Sequence, residues 1–295
     1  VIKDYPEIYR SRPGYEAVMA LYDSALAQAP VPYETRTVET RYGPTHVLIG
    51  GPNTGQPILA FHGWNGNAAG VGSEFPFLFD SFRVYMPDII GHPGRSSANR
   101  PPTTGATYAD WAADVIEALD IQKTILLGIS GGGWMTLKVA SYYPQKVSRA
   151  IAISTDGLSS TNTWNMLWGM LPVALFPNRL TAGWFLKFMT APNTSKGEHA
   201  QGFAEAMRVV IKHFRTQGNP GPLTDKELRQ ISSPFLILMG QYERLFQPQA
   251  AIERARNLIP SLVAAEIVPN AGHLVTTDQP TWLKHRVLKF IQTAS

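Results

Sequence analysis

The chain reads as an α/β fold, a mostly parallel twisted sheet flanked by helices and interrupted once by a helical insertion. From Pro57 onward, short apolar runs ending in glycine or polar residues alternate with longer amphipathic segments, the rhythm of βα units stacked into a parallel sheet. That rhythm lapses between residues 156 and 224, where no strand-like run occurs and three of the 7 Trp and four of the 8 Met gather. A chain of 295 residues that is 44% hydrophobic can bury one large core and still carry an insertion. The expected organisation is a core built from residues 1–155 and 225–295, with residues 1–30 as an N-terminal strap, and a helical cap at 156–224.

Residues 15–28 carry apolar side chains at helical spacing, and 35–40 and 45–49 alternate around Arg41-Tyr42-Gly43-Pro44 as a hairpin. Further strands are expected at 58–61, 83–86, 124–127, 149–153, 235–239 and 264–268, making an eight-stranded sheet. Helices are expected at 108–119, 132–143, 225–230, 248–258 and 280–291, several opening with Thr, Asp or Pro, residues that suit a first helical turn. An all-helical insertion rich in Trp, Met, Leu and Phe would sit over the carboxyl ends of the strands, where open α/β sheets bind ligands. The expectation is a cap over an apolar pocket, with Trp164, Trp168, Met170, Trp184 and Met189 as candidate lining residues. The competing account is that these side chains are the cap's own packing.

The formal net charge of +4 and pI of about 9.2 come from scattered basic residues with no run fit to track phosphates, so nucleic acid is not an expected partner. With 0 Cys there are no disulfides, thiolate nucleophiles or cysteine-held zinc, and the compartment is left open. The longest apolar stretches, at 166–177 and 234–240, fall short of the roughly 18 residues a membrane span needs. No signal-peptide pattern opens the chain, which points to the cytoplasm, although a start at Val1 leaves a removed leader open. No dinucleotide fingerprint, phosphate loop or zinc-hydrolase histidine pair occurs, so neither a cofactor nor a metal is expected, and oligomeric state is not written in the sequence.

The segment 124–127 is followed by Gly128-Ile129-Ser130-Gly131-Gly132-Gly133 and then by an expected helix. A bare G-x-S-x-G arises by chance about once in ten chains of this length. Its position between strand and helix is what marks Ser130 as a candidate nucleophile on a strained turn, with glycines where side chains would collide with neighbouring backbone. The helix after Ser130 aims free N–H groups at the site, making Gly131 N–H a candidate oxyanion donor. A second donor is expected from the loop after residues 58–61, where His62-Gly63-Trp64 places the Trp64 N–H.

Taken with Asp88-Ile89-Ile90-Gly91-His92-Pro93-Gly94 and Asn270-Ala271-Gly272-His273, these motifs resemble the α/β-hydrolase superfamily from about residue 33 to 291. Within it the chain is similar to bacterial carboxylesterases of the naproxen-esterase type, in segment 40–47, the Asp-Ile-Ile-Gly turn and the Asn-Ala-Gly-His ending. The resemblance implies an α/β-hydrolase fold and a serine carboxylesterase acting on small-molecule esters with an apolar acyl or alcohol part.

A serine hydroxyl needs a neutral imidazole to take its proton. His273 lies on a glycine-containing loop after the expected strand 264–268, where the superfamily's histidine comes last in the order serine, acid, histidine. For the acid, Glu243 stands three residues past Gly240, at the superfamily's usual position. Asp156, after the strand 149–153, is the alternative acid, although it also suits the role of helix cap for the insertion. Asp88 reads as a structural turn residue and His62 as a shaper of the oxyanion loop. A serine at the elbow argues against the haloalkane dehalogenase and epoxide hydrolase chemistries, which use aspartate there. Carbon–carbon bond or lactone hydrolysis on the same triad, and a non-hydrolytic small-molecule receptor of the same fold, are the competing readings.

Overall fold

The computed structural model describes residues 4–29, 31–192, 194 and 197–293. Residues 1–3 and 30 of the expected strap, and 193, 195 and 196 of the expected cap, lie outside the described residues. The strands are β1 (Glu34–Val38), β2 (Thr45–Gly50), β3 (Gln56–Phe61), β4 (Phe82–Pro87), β5 (Thr124–Ile129), β6 (Val147–Ile153), β7 (Phe235–Gly240) and β8 (Leu262–Val268). They form one sheet in the order β1-β2-β4-β3-β5-β6-β7-β8. β2 runs antiparallel to both its neighbours and every other pairing is parallel.

β5 and β7 are buried throughout, which is why they read as unbroken apolar runs and not as alternating ones. The period of two still decides which layer each residue joins. Leu126 packs in the layer of α3 (Thr107–Ala118), α4 (Gly131–Tyr142) and α9 (Pro248–Leu258). Ile125 and Leu127 point the other way, toward α2 (Ala68–Glu74), α11 (Pro280–Gln292) and Tyr22 of α1 (Arg12–Ala27). The sheet is thus covered on both faces, and the carboxyl ends of β3, β5, β6, β7 and β8 open toward the insertion.

The insertion carries α5 (Thr163–Leu175), α6 (Arg179–Met189) and α7 (Glu198–His213), then α8 (Asp225–Arg229), before the chain re-enters the sheet at β7. The N-terminal segment does more than strap the core. Tyr9 bridges Phe214, Arg10 N–H donates to His213 O at 2.8 Å, and Arg215 N–H donates to Ile8 O at 2.8 Å. The start of the chain is therefore tied to the end of α7, so α1 closes one side of the insertion.

α2 had no periodic signal because Ala68-Ala69-Gly70-Val71-Gly72 lacks a polar face and carries two poor helix formers. Its start is organised from outside by Asp88. That carboxylate accepts from Ala68 N–H (2.8 Å), Arg95 N–H (2.8 Å) and the Tyr22 hydroxyl (3.1 Å), tying α1, α2 and the glycine-rich turn together. Asp88→Ala would leave two buried donors, Ala68 N–H and the Tyr22 hydroxyl, and the part-buried Arg95 N–H unpaired, at about 1–3 kcal/mol for each buried donor. Burial already works against the carboxylate, pushing its pKa up to about 6, so part of that sum is offset. The expected loss is about 3 kcal/mol, read as a lower urea midpoint at unchanged slope.

Candidate active site

Ser130 stands between β5 and α4, as the N-cap of α4, with φ 54° and ψ −121°, a conformation non-glycine residues rarely occupy. The turn is held by Ser130 N–H donating to Ile153 O at 2.9 Å and by Ser130 O accepting from Gly133 N–H at 2.9 Å. A Cβ at Gly128 would lie 2.0 Å from Gly132 O, and one at Gly132 would lie 2.2 Å from Phe61 O. Only glycine lets strand, turn and helix approach this closely.

The loop after β3 lies directly beside this turn. A Cβ on Gly131 would sit 2.8 Å from Trp64 N, and one on Gly63 would sit 3.6 Å from Ser130 Cβ. Neither the Trp64 N–H nor the Gly131 N–H donates to a protein acceptor among the described residues. Two histidines fix the loop. His62 donates from Nδ1 to Gly63 O (2.8 Å) and accepts Ile89 N–H at Nε2 (2.9 Å), while His92 Nδ1 accepts Asn65 N–H (3.0 Å). Burial pushes His62 down to about 4 and His92 well below the ordinary histidine value, so both stay neutral and keep these acceptor roles at neutral pH.

His273 sits on the loop between β8 and α10 (Val275–Asp278). Its Nδ1 lies 2.7 Å from Glu243 Oε2, and Glu243 Oε1 accepts Leu245 N–H at 2.8 Å. Both side chains are buried. Burial alone would lower the His273 pKa, but the charge and hydrogen bond of Glu243, with the charges of Asp156 and Glu74, raise it overall. Asp278 anchors the same loop by accepting Gly272 N–H (2.6 Å) and Ala191 N–H (2.9 Å), and Leu274 N–H donates to Met189 O (3.1 Å). The histidine loop is therefore fastened to the end of α6.

Ser130, His273, Trp64 and Gly63 all line one cavity of about 530 Å³. Its other walls come from α1, α2 and the insertion, including Met166, Met170, Phe185, Met189 and Met207. Among the described residues no group of three or more His, Asp or Glu side chains is placed to hold a metal, and no helix is long and apolar enough to cross a membrane.

The model of the alpha/beta hydrolase family matches residues 58–285. The chain belongs to the α/β-hydrolase family. Carboxylesterase YbfK of Bacillus subtilis (strain 168) is 30% identical over 293 residues, covering 92% of each chain. The crystal structure of carboxylesterase CesB (YbfK) from Bacillus subtilis superposes with a TM-score of 0.81 at 27% identity, covering 96% of this chain and 100% of that one. Naproxen esterase (carboxylesterase NP) from Bacillus subtilis superposes equally well, with a TM-score of 0.81 at 25% identity over 96% of this chain and 100% of that one. The resemblance expected from the motifs is thus found over nearly the whole chain.

The α/β-hydrolase frame brings Ser130, Gly131, Trp64, His273 and Glu243 together, and corrects other expectations. Trp164, Trp168 and Trp184 do not line the cavity; they are 71%, 67% and 52% exposed. α5 is apolar all round, with Trp164 and Trp168 on one face and Met166, Met170 and Val173 on another, and spacing alone does not say which face turns inward. Of the five expected pocket residues, Met170 and Met189 line the cavity. Asp156 does not cap the insertion's first helix, which Asn162 caps by accepting Asn165 N–H at 3.1 Å. Among the described residues its carboxylate accepts only a long 3.5 Å bond from Asn219 and its Oδ2 is buried without a protein partner, and burial pushes its pKa up to about 7. Glu74, Tyr33 and the α1 side chains of the cavity carried no motif, because they reach the site only through the packing of α1 and α2.

Proposed function

We propose that the protein is a serine carboxylesterase, with Ser130 as nucleophile, His273 as base, Glu243 as the acid that orients it, and the Trp64 and Gly131 N–H groups as the oxyanion hole. The observation that carries this reading is the 2.7 Å contact between His273 Nδ1 and Glu243 Oε2, beside a strained Ser130 in the same cavity. Glu243 holds the tautomer in which Nδ1 is protonated and Nε2 is free to take the Ser130 proton. The alkoxide attacks the ester carbonyl, the two N–H groups receive the developing negative charge, and His273 returns the proton to the departing alcohol. Water then repeats the sequence on the acyl-enzyme and releases the acid. The names of the carboxylesterase relatives support the substrate class, and the methionine-lined wall suits an apolar acyl group.

p-Nitrophenyl esters of graded acyl length test this: the account expects saturable turnover with a preference for medium over very short acyl chains. No turnover on any of them would favour the receptor reading. The base must be neutral to act, and His273 is held above the ordinary histidine value of 6.5. The acid limb of kcat/KM is accordingly expected above pH 6.5, activity falling as pH drops through it. Removing the Glu243 charge should move that limb to lower pH.

A further inference from the structure

The insertion turns its two faces to different media. On α5, Trp164, Trp168, Leu171 and Leu175 recur at i, i+4, i+7 and i+11 and are all exposed, whereas Met166 and Met170 on the opposite face line the cavity. On α6 the same division holds, with Leu180 and Trp184 exposed and Phe185 and Met189 lining the cavity. The two outer faces are continuous. The Trp184 indole N–H donates to Trp168 O at 3.3 Å, and the turn between the helices, closed by the Thr181 hydroxyl donating to Phe176 O at 2.6 Å, leaves Phe176 exposed as well. Of the ten exposed large apolar side chains among the described residues, eight lie between 164 and 184. Scattered exposed leucines are ordinary, but a concentration of this kind on one face marks a contact surface.

Shape and charge say what covers this face. Leu180, at the start of α6, is 86% exposed, so the face ends in a projecting tip and not in a groove that would enclose a peptide. Between residues 157 and 197 the sequence has no Asp or Glu. Lys187 stands at i+7 from Leu180 on the same outer face, Arg179 flanks it, and both are exposed. Arg244 reaches the same edge, donating to Lys187 O and Phe188 O at 3.0 Å each. Glu205, on the neighbouring α7, is already bridged to Arg208 at 2.8 Å. A second copy meeting this face across a twofold axis would set Arg179 and Lys187 against an equally acid-free surface. An anionic bilayer suits both parts of the face: its phosphates accept the cations, and the boundary between headgroups and acyl chains takes up Trp, Leu and Phe.

We propose that the outer face of α5 and α6 docks the protein onto anionic lipid bilayers, with Trp164, Trp168, Phe176 and Leu180 entering the headgroup boundary and Arg179 and Lys187 meeting lipid phosphates. The inner faces of the same two helices line the cavity, so docking brings the cavity close to the bilayer. The proposal holds whichever reaction Ser130 performs, and its failure would leave the esterase reading standing.

The test is flotation of the full chain with vesicles of phosphatidylcholine alone and of phosphatidylcholine containing phosphatidylglycerol. The wild type is expected to bind the anionic vesicles at least about tenfold more tightly than the neutral ones. The combined variant Trp164→Gln, Trp168→Gln and Leu180→Gln should lose at least about tenfold in binding to the anionic vesicles. Arg179→Gln and Lys187→Gln should each lose about fivefold there and little on neutral vesicles. All five positions are exposed, so the urea midpoint should stay close to that of the wild type. Failure of the wild type to float with anionic vesicles overturns the proposal and needs no variant to fold. Equal binding to both vesicle types, or binding unchanged in the apolar variant, overturns it as well. A dimer in sedimentation velocity that the apolar variant abolishes, with no vesicle binding, would assign the face to a second copy instead.

Discussion

Ser130→Ala is expected to lower kcat/KM on p-nitrophenyl esters by at least about 10⁴-fold, with only the modest residual rate that an oxyanion hole and binding supply. No other hydroxyl can take over. The nucleophile must stand at the carboxyl end of β5, at the start of α4 and beside the Trp64 N–H, and the turn that puts Ser130 there is fixed by Gly128 and Gly132. Alanine keeps the backbone requirement of the turn, so the variant should fold with an unfolding free energy, from urea titration, within about 1 kcal/mol of wild type. Loss of activity with that stability retained is the signature of a chemical role and not of a disrupted elbow.

The second large effect separates two carboxylates that both lie near His273. Glu243→Gln is expected to lower kcat by about 10³- to 10⁴-fold, because the amide cannot hold the imidazole in the tautomer that leaves Nε2 basic. Asp156→Asn is expected to stay within about tenfold of wild type, a barrier change under about 1.4 kcal/mol. The asymmetry follows from geometry: Glu243 touches the imidazole at 2.7 Å, whereas among the described residues the Asp156 carboxylate receives a single long bond, 3.5 Å from Asn219. Burial also pushes Asp156 up to about 7, so near neutral pH an amide of the same shape removes less charge than it would from an ordinary, fully ionised carboxylate. Single-turnover kinetics on both variants checks this, and a crippled Asp156→Asn beside an active Glu243→Gln would reverse the assignment.

Local sequence was enough to locate residues whose positions are set by a turn or a strand end. Ser130 is announced by glycines within two residues, and Trp64 and His273 by glycine-bearing loops after apolar runs, because strand, turn and helix must each obey local rules at those points. Glu243 was legible for the same reason, as a carboxylate just past the end of β7. The inward face of α5 was not legible. With both Trp164/Trp168 and Met166/Met170 at helical spacing, only the tertiary contact decides, and the tryptophans turn to solvent. Glu74 and Tyr33 were silent because their place in the cavity depends on how α1 closes over α2 and α7, a packing of distant segments that no short window contains. The role of Asp88 as an external cap for α2 escaped for the same reason, its partners lying 20 residues or more away at Ala68 and Tyr22.

The central claim is that Ser130 carries the acyl group, and covalent labelling tests it most directly. Diethyl p-nitrophenyl phosphate, added in slight excess, should release one p-nitrophenolate per chain, abolish ester hydrolysis, and leave a diethylphosphoryl adduct that peptide mass spectrometry places on Ser130. Ser130→Ala should release no burst and carry no adduct. A stoichiometric adduct on another residue, or ester hydrolysis that persists after full labelling of Ser130, would contradict the account.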